Sequence, residues 1–226
     1  MGWLGPYRVG LWGNEMLLNR LEYLLMNNPA RAALHRHVEA RKLLRLGGSI
    51  PGGRALEIGC GRGVGIEVIM ELFGAGSVDA FDLDPRMVRQ AKNRARRFGG
   101  KARVWVGDAE RISAENGEYD AVFDFGILHH VPDWRAAIRE VARVLKPGGR
   151  FYVEDVLAAW TANRLARRFF DHPAHGRFDA PALLAALVES GLEAGEPEYF
   201  LGAMIFLTAT RSGNPALKAP AAPRPG

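Results

Sequence analysis

The segment Ala55–Gly65, ALEIGCGRGVG, constrains this chain more than any other stretch. Four glycines at alternate positions, Gly59, Gly61, Gly63 and Gly65, follow the tail of an apolar, strand-like run. Glycine adopts positive φ without strain and has no Cβ, so such a turn lets main chain and ligand come into contact. A helix that follows at once presents its amino end to the same place. An acid, Glu57, stands inside the apolar run just ahead of the turn. The spacing is G-x-G-x-G-x-G, which lacks the last glycine of the dinucleotide fingerprint G-x-G-x-x-G, and no G-K-[ST] completes a phosphate loop.

Around this motif the pattern alternates. Apolar runs RALEIG, SVDAFD, ARVWVG, YDAVFDFG and RFYVEDV read as strands. Between them lie helical stretches from about Gly63 to Phe73, from about Pro85 to Phe98, and over WRAAIREVARVL. Strands and helices alternating in this way give βαβ units and a parallel sheet covered on both faces, a doubly wound α/β fold. Local punctuation agrees: Asp84 precedes Pro85 as an N-cap with proline at N1, Asp133 and Asp179 cap the helices that follow them, and KPGG, Lys146 to Gly149, stops a helix. The run EPEYFLGAMIFLTATR reads as two strands about Leu201-Gly202, a closing antiparallel hairpin. From Ser212 onward the Pro, Ala and Gly content predicts a disordered tail. In such sheets ligands bind at the carboxyl ends of the strands, where strand order reverses, which here is beside Ala55–Ile58.

Bulk properties narrow the setting. A chain of 226 residues with 48% hydrophobic content suits one domain of ordinary size. The lone cysteine, Cys60, excludes an internal disulfide and a multi-cysteine metal site, and fits a reducing cytosol. Neither a signal peptide nor about 18 successive apolar residues occurs, so the expected location is cytoplasmic. Eight Lys or Arg and no acid lie between Arg86 and Arg103. With Met87, Val88, Ala91, Ala95 and Phe98 turned inward, that run is first of all the solvated face of a helix. Nucleic acid is disfavoured as a partner, since no RNA-binding module and no Asn-Pro-Pro-Tyr-like sequence accompany the charge.

The residues LEIGCGRG resemble the first motif of the class I S-adenosylmethionine-dependent methyltransferases, in their small-molecule, type 11-like branch. The resemblance runs from about Arg54 to Val156. VDAFDLDPRMV is similar to the segment whose acid holds the ribose hydroxyls, which implies Asp82; two acceptor oxygens also match a diol on physical grounds. Asp84 is the competing diol ligand. VGDAERI resembles the adenine segment, implying Asp108 at the exocyclic amine and the Ala109 amide near the ring; a turn-capping role is the alternative for Asp108. The same resemblance places Glu57, Gly59, Cys60, Gly61 and Gly63 around the methionine end, Phe125 beside it through main chain, and Leu83 over the adenine or in the core. It also implies a seven-stranded, mostly parallel sheet in the order 3-2-1-4-5-7-6 with strand 7 antiparallel. The expected organisation is a helical lid over residues 1–50, the S-adenosylmethionine-binding domain over 51–211 and a tail over 212–226.

The expected reaction is direct displacement of the methyl group, with S-adenosylhomocysteine as product. The protein then has to align donor and acceptor, exclude water and, for some acceptors, remove a proton. His129 and His130, which follow the fourth strand, are candidate bases. Glu154, with Asp155 beside it, ends the fifth strand and is a candidate for orienting the acceptor. No metal is expected, although His172 and His175 lie close in sequence. The stretch NEMLLNRLEYLLMNNPARAALHRHVEARKLLRLGG predicts two amphipathic helices separated near Pro29. Together with Trp3, Tyr7 and Trp12 they suggest an apolar, covered acceptor site and a small, apolar or lipid-like acceptor. With Arg164, Arg167 and Arg168 they also allow a peripheral membrane contact. An RNA or protein methyltransferase, a binding protein without turnover and a nicotinamide-dependent enzyme are the competing functions. Nothing in the sequence sets the oligomeric state.

Overall fold

Each expected apolar run becomes a strand, and each capped stretch between them a helix, in the computed structural model, which describes residues 38–158 and 178–213. A helix α1 (Ala40–Gly47) leads into β1 (Arg54–Ile58), α2 (Val64–Glu71), β2 (Ser77–Asp82), α3 (Pro85–Ala95), β3 (Ala102–Val106) and β4 (Tyr119–Phe125). There follow α4 (Trp134–Val144), β5 (Leu145–Val156), α5 (Ala180–Glu189), β6 (Leu192–Ala194), β7 (Glu198–Phe200) and β8 (Met204–Arg211). The three predicted caps form: Asp84 accepts from the Arg86 amide, Asp133 from that of Ala136 and Asp179 from that of Ala182. Each satisfies a donor that the first helical turn would otherwise leave open.

The sheet runs β3-β2-β1-β4-β5-β8-β6. Strands β1 to β5 pair in parallel, and β8 is antiparallel to β5. This is the expected order with β8 as the antiparallel strand. One detail differs from the sequence reading. The arm that turns at Leu201-Gly202 is an additional short strand, β7, paired with Met204–Phe206, while the last place in the order belongs to β6, paired with Ala209–Arg211. Leu-Glu-Ala is too short to show a period of two, so β6 leaves no signal in the sequence. The turn itself has φ of 52° at Leu201 and 66° at Gly202 and is closed by the Ala203 amide, which donates to the Phe200 carbonyl at 3.0 Å.

Alternation along the strands builds two cores. Leu56, Ile58, Val122, Phe151, Val153, Ile205 and Leu207 face the α4 and α5 side. Ala55, Ala121, Phe123, Tyr152 and Phe206 face the side of α1 and α2. On that second face the Phe123 and Tyr152 rings stack at 4.5 Å, and Phe73 meets them edge-on at 4.8 and 5.1 Å. Rings buried this completely each contribute about 2 kcal/mol through area alone.

At the amino ends of the strands the charges are closed off. Asp79 of β2 is buried and accepts from Arg54 of β1 at 2.8 Å, Arg103 of β3 at 2.6 Å and the Tyr119 hydroxyl of β4 at 3.0 Å. Burial alone would raise its pKa, but these donors hold it below the usual carboxylate value. Half of the basic run is used inside the protein: Arg86 pairs with Asp84, Arg94 and Arg97 with Glu67, and Arg103 with Asp79.

Among the described residues no helix is long and apolar enough to cross a membrane. Trp3, Tyr7, Trp12, the helix predicted before Pro29, Arg164, Arg167, Arg168, His172, His175 and the tail from residue 214 lie outside the described residues.

Candidate active site

β1 stops at Ile58 and α2 begins at Val64, and the turn between them places Gly59, Gly61 and Gly63 at left-handed φ of 64°, 50° and 83°. Three of the four motif glycines are required by packing. A Cβ would lie 2.4 Å from Ile127 at Gly59, 2.9 Å from the Ala91 backbone at Gly63, and 2.0 Å from the Glu57 carboxylate at Gly65. Gly61 is different: a Cβ there would meet nothing within 4 Å. Its bare backbone borders open space at the carboxyl ends of β1 and β2. The turn is tied down by the Cys60 amide, which donates to the Phe81 carbonyl at 2.8 Å. Cys60 is buried, and burial followed by the charges of Glu57 and Asp82 pushes its thiol well above the ordinary value, so it is no nucleophile.

Asp82 closes β2 beside that opening. Its Oδ2 accepts from the Gly61 amide at 2.9 Å and its Oδ1 from the Asp84 amide at 2.8 Å. Each carboxylate oxygen has a second lone pair, so the group still offers two adjacent acceptors. Burial raises the Asp82 pKa, and the two amides counteract it. Asp84, two residues on, is committed elsewhere: it caps α3 and grips the Arg86 guanidinium at 2.7 to 3.0 Å. Against a burial effect of opposite sign, those bonds hold its pKa below the usual value.

The third strand end is joined to the second by the Gly107 amide, which donates to the Asp82 carbonyl at 3.1 Å. Asp108 caps its own turn, Oδ1 accepting from the Glu110 amide at 2.9 Å, while Ala109 is buried and Leu83 half-buried. Phe125 ends β4 with its ring edge against Gly65. The two acceptor oxygens of Asp82, the bare backbone of Gly61 and the buried acid Glu57 thus lie at the carboxyl ends of β1 and β2. That donor and acceptor set fits an adenosyl group whose amino-acid end carries an ammonium.

The carboxyl ends of β4 and β5 supply the remaining candidates, and the pleat sorts them. Glu154 is opposite Phe125 and Phe206, on the face that carries Glu57. Asp155 is opposite Ile205, on the other face, where its carboxylate takes both the Nδ1 atom and, at 3.3 Å, the amide of His129. Glu154 and Asp155 thus do not act on one spot, as their adjacency in sequence suggested. His129 is buried, and His130 is half-buried with its ring 4.0 Å from that of His129. The sequence reading missed Asp124, fully buried in β4 with Oδ1 accepting from the Ile127 amide at 2.9 Å. An acid inside AVFDF, a run otherwise fit for a doubly buried strand, was the available signal.

Residues 55–149 match the family model of a methyltransferase domain. That segment of the chain is a methyltransferase domain. The chain is 35% identical over 153 residues to the ubiquinone biosynthesis O-methyltransferase of Xanthomonas axonopodis pv. citri, an alignment covering 63% of each protein. The chain thus spans less than two thirds of that relative's length. The S-adenosylmethionine-dependent methyltransferase of Aquifex aeolicus superposes with a TM-score of 0.64 at 18% identity, over 84% of this chain and 96% of that one. The [4+2]-cyclase SpnF superposes as well, with a TM-score of 0.64 at 20% identity, over 78% of this chain and 81% of that one. At such identities the superpositions establish the fold, and the fold alone serves more than one reaction.

Proposed function

We propose that this chain transfers the methyl group of S-adenosylmethionine to a hydroxyl oxygen of a small acceptor with an apolar portion. The observation that carries the reading is the pairing of Gly61, whose missing side chain opens onto space, with the two acceptor oxygens of Asp82 at the neighbouring strand end. In this reading Asp82 holds the ribose diol, and Leu83, Asp108 and the Ala109 amide surround the adenine. Glu57, Gly59, Cys60, Gly61, Gly63 and the main chain of Phe125 line the methionine end.

When bound, the sulfonium supplies a methyl group whose bond to sulfur breaks, the electron pair staying on sulfur, as the acceptor oxygen bonds to carbon. The protein's share is alignment, exclusion of water and removal of the hydroxyl proton. His129 or His130, in the turn after β4, takes that proton. Oxygen as the acceptor atom is supported by the O-methyltransferase relatives. An apolar acceptor is supported by the β7–β8 tip beside the carboxyl end of β5, where Tyr199, Phe200 and the 86% exposed Leu201 face solvent. A cytoplasmic location fits the single cysteine, and the ion pairs within the basic run speak against nucleic acid.

Calorimetry with S-adenosylmethionine should give saturable binding, and mass spectrometry should find S-adenosylhomocysteine released on a panel of catechols with and without prenyl chains. Binding of a nicotinamide dinucleotide instead would overturn the reading. A second reading, cofactor binding without methyl transfer, draws on the shared fold of the cyclase SpnF. Tight binding with no release on phenolic, lipid, RNA and peptide acceptors would favour it.

A further inference from the structure

The tip between β7 and β8 is unusual in two respects. Among the described residues Leu201 is the only one other than glycine at positive φ, 52°, a backbone that Asn, Asp or Gly takes with less strain. It is also 86% exposed, so contacts within the protein do not offset that strain. Tyr199 and Phe200, just ahead of it, are exposed as well. A strained turn that holds apolar side chains out in solvent points to a contact made outside the chain. We propose that this tip docks on an anionic lipid surface, with Phe200 and Leu201 entering the headgroup layer and the cations of α1 lying on it.

The neighbours of the tip favour a lipid. Val38, Arg41, Lys42 and Arg45 recur at helical spacing, which puts them on one face of the segment that forms α1. That face adjoins the tip: the Lys42 Nζ atom is 5.6 Å from the centroid of the Phe200 ring, and Arg45 donates to the Glu198 carboxylate of β7 at 2.9 Å. Val38 and Arg41 are exposed beside them. Glu198 is held between Lys42 and Arg45, so this side keeps an excess of positive charge, and the exposed Glu196 precedes the end of β7 that lies away from the tip. An apolar point with a tyrosine, rimmed by cations, suits the boundary between lipid phosphates and acyl chains. A second copy of the chain fits less well. The three side chains offer on the order of 300 Å² of apolar surface, whereas each partner of a stable dimer buries about 800 Å².

Docking there has a use. β8 begins with Met204 opposite Val156, and the Leu157 amide donates to the Ala203 carbonyl at 2.8 Å, so the tip stands at the carboxyl end of β5. A docked protein turns that edge, where the methyl-transfer reading places the acceptor, toward the bilayer in which an apolar acceptor dissolves. This use rests on the methyl-transfer reading above; the docking itself does not.

Flotation of the whole protein with lipid vesicles tests the docking and needs neither methyl donor nor acceptor. Wild type should float with vesicles of phosphatidylglycerol and phosphatidylcholine in equal parts, and far less with phosphatidylcholine alone. Leu201→Asn should weaken partition onto the anionic vesicles on the order of 10-fold. Its melting temperature should equal or exceed that of wild type, because asparagine accepts the left-handed backbone. Arg41→Gln should weaken the same partition about five-fold. Wild type that does not float, or Leu201→Asn that floats equally well, overturns the proposal. So does a lower melting temperature in Leu201→Asn, which would mean that the rest of the chain covers the tip. A wild-type dimer in sedimentation velocity that Leu201→Asn dissolves would give the tip to a second copy and overturn it too. On a prenylated catechol carried in the anionic vesicles, Leu201→Asn should raise KM about 10-fold, and an unchanged KM would overturn the use alone. If wild type methylates nothing, the functional reading fails by itself, while flotation still decides the docking.

Discussion

The two ends of the sheet use aspartate in opposite ways. At the amino ends, Asp79 is surrounded by two guanidiniums and a phenol, and its pKa is held down. At the carboxyl ends, Asp82, Asp124 and Asp155 are met by backbone amides, a histidine or another acid, and all three are pushed up. Both ends bury carboxylates from the same sheet, so depth does not explain the difference; the donors do. The amino end is a finished ionic network, whereas the carboxyl end keeps acids whose acceptor capacity is left for a ligand or a ring.

The sharpest way to break this contrast is Asp79→Ala. Removing the carboxylate strands Arg54 and Arg103, and should cost about 3 kcal/mol of unfolding free energy in denaturant titration. The same protein, where folded, should bind S-adenosylmethionine as wild type does. Asp82→Ala should do the reverse, weakening cofactor binding by about 2 kcal/mol, roughly 30-fold by calorimetry, with little change in melting temperature. An Asp82→Ala variant that loses stability and keeps affinity would erase the distinction.

The pH dependence of stability comes next. Asp79, with its depressed pKa, contributes stability that is present above the ordinary carboxylate pKa and lost as pH falls through the folded value. Asp155, raised to about 7, contributes in the other direction. Its share is present below the unfolded carboxylate pKa and is lost as pH rises toward 7. Between those values the folded state binds more protons than the unfolded state, and stability should decline by up to about 1.4 kcal/mol per pH unit for each such proton. Asp124→Asn should flatten the decline measured between pH 5 and 7; an identical slope would mean that the pair holds no extra proton. The smallest effect separates neighbours. Asp84→Ala should cost about 1 kcal/mol, a lost helix cap, and leave cofactor affinity within about two-fold. A large loss of affinity would make Asp84, not Asp82, the diol ligand.

Much of this was legible in the sequence, for a local reason. The strands from RALEIG to RFYVEDV are apolar runs that need no partner to be recognised, and Asp84, Asp133 and Asp179 cap through contacts within three residues. The glycine turn was visible because its function is carried by what is missing. The rest depends on pairing between distant segments. β6 is three residues long and exists only because the end of β8 offers it an edge. Glu154 and Asp155 read as one acidic corner until the pleat assigns them to opposite faces. Asp124 matters only beside Asp155, a neighbour that strand pairing alone supplies.

The one motif glycine with room above it, Gly61, also makes the turn a record of use. Three of its positions are guarded by the cell's folding machinery, which removes a chain that cannot pack. The remaining one is held by its left-handed backbone and, in the proposed reading, by the reaction. A descendant that abandoned this chemistry would keep glycine at 59, 63 and 65 and drift at 61, to asparagine or aspartate first, because these tolerate the left-handed backbone. Such a relic would still fold and pass for a working copy until its ligand was tried.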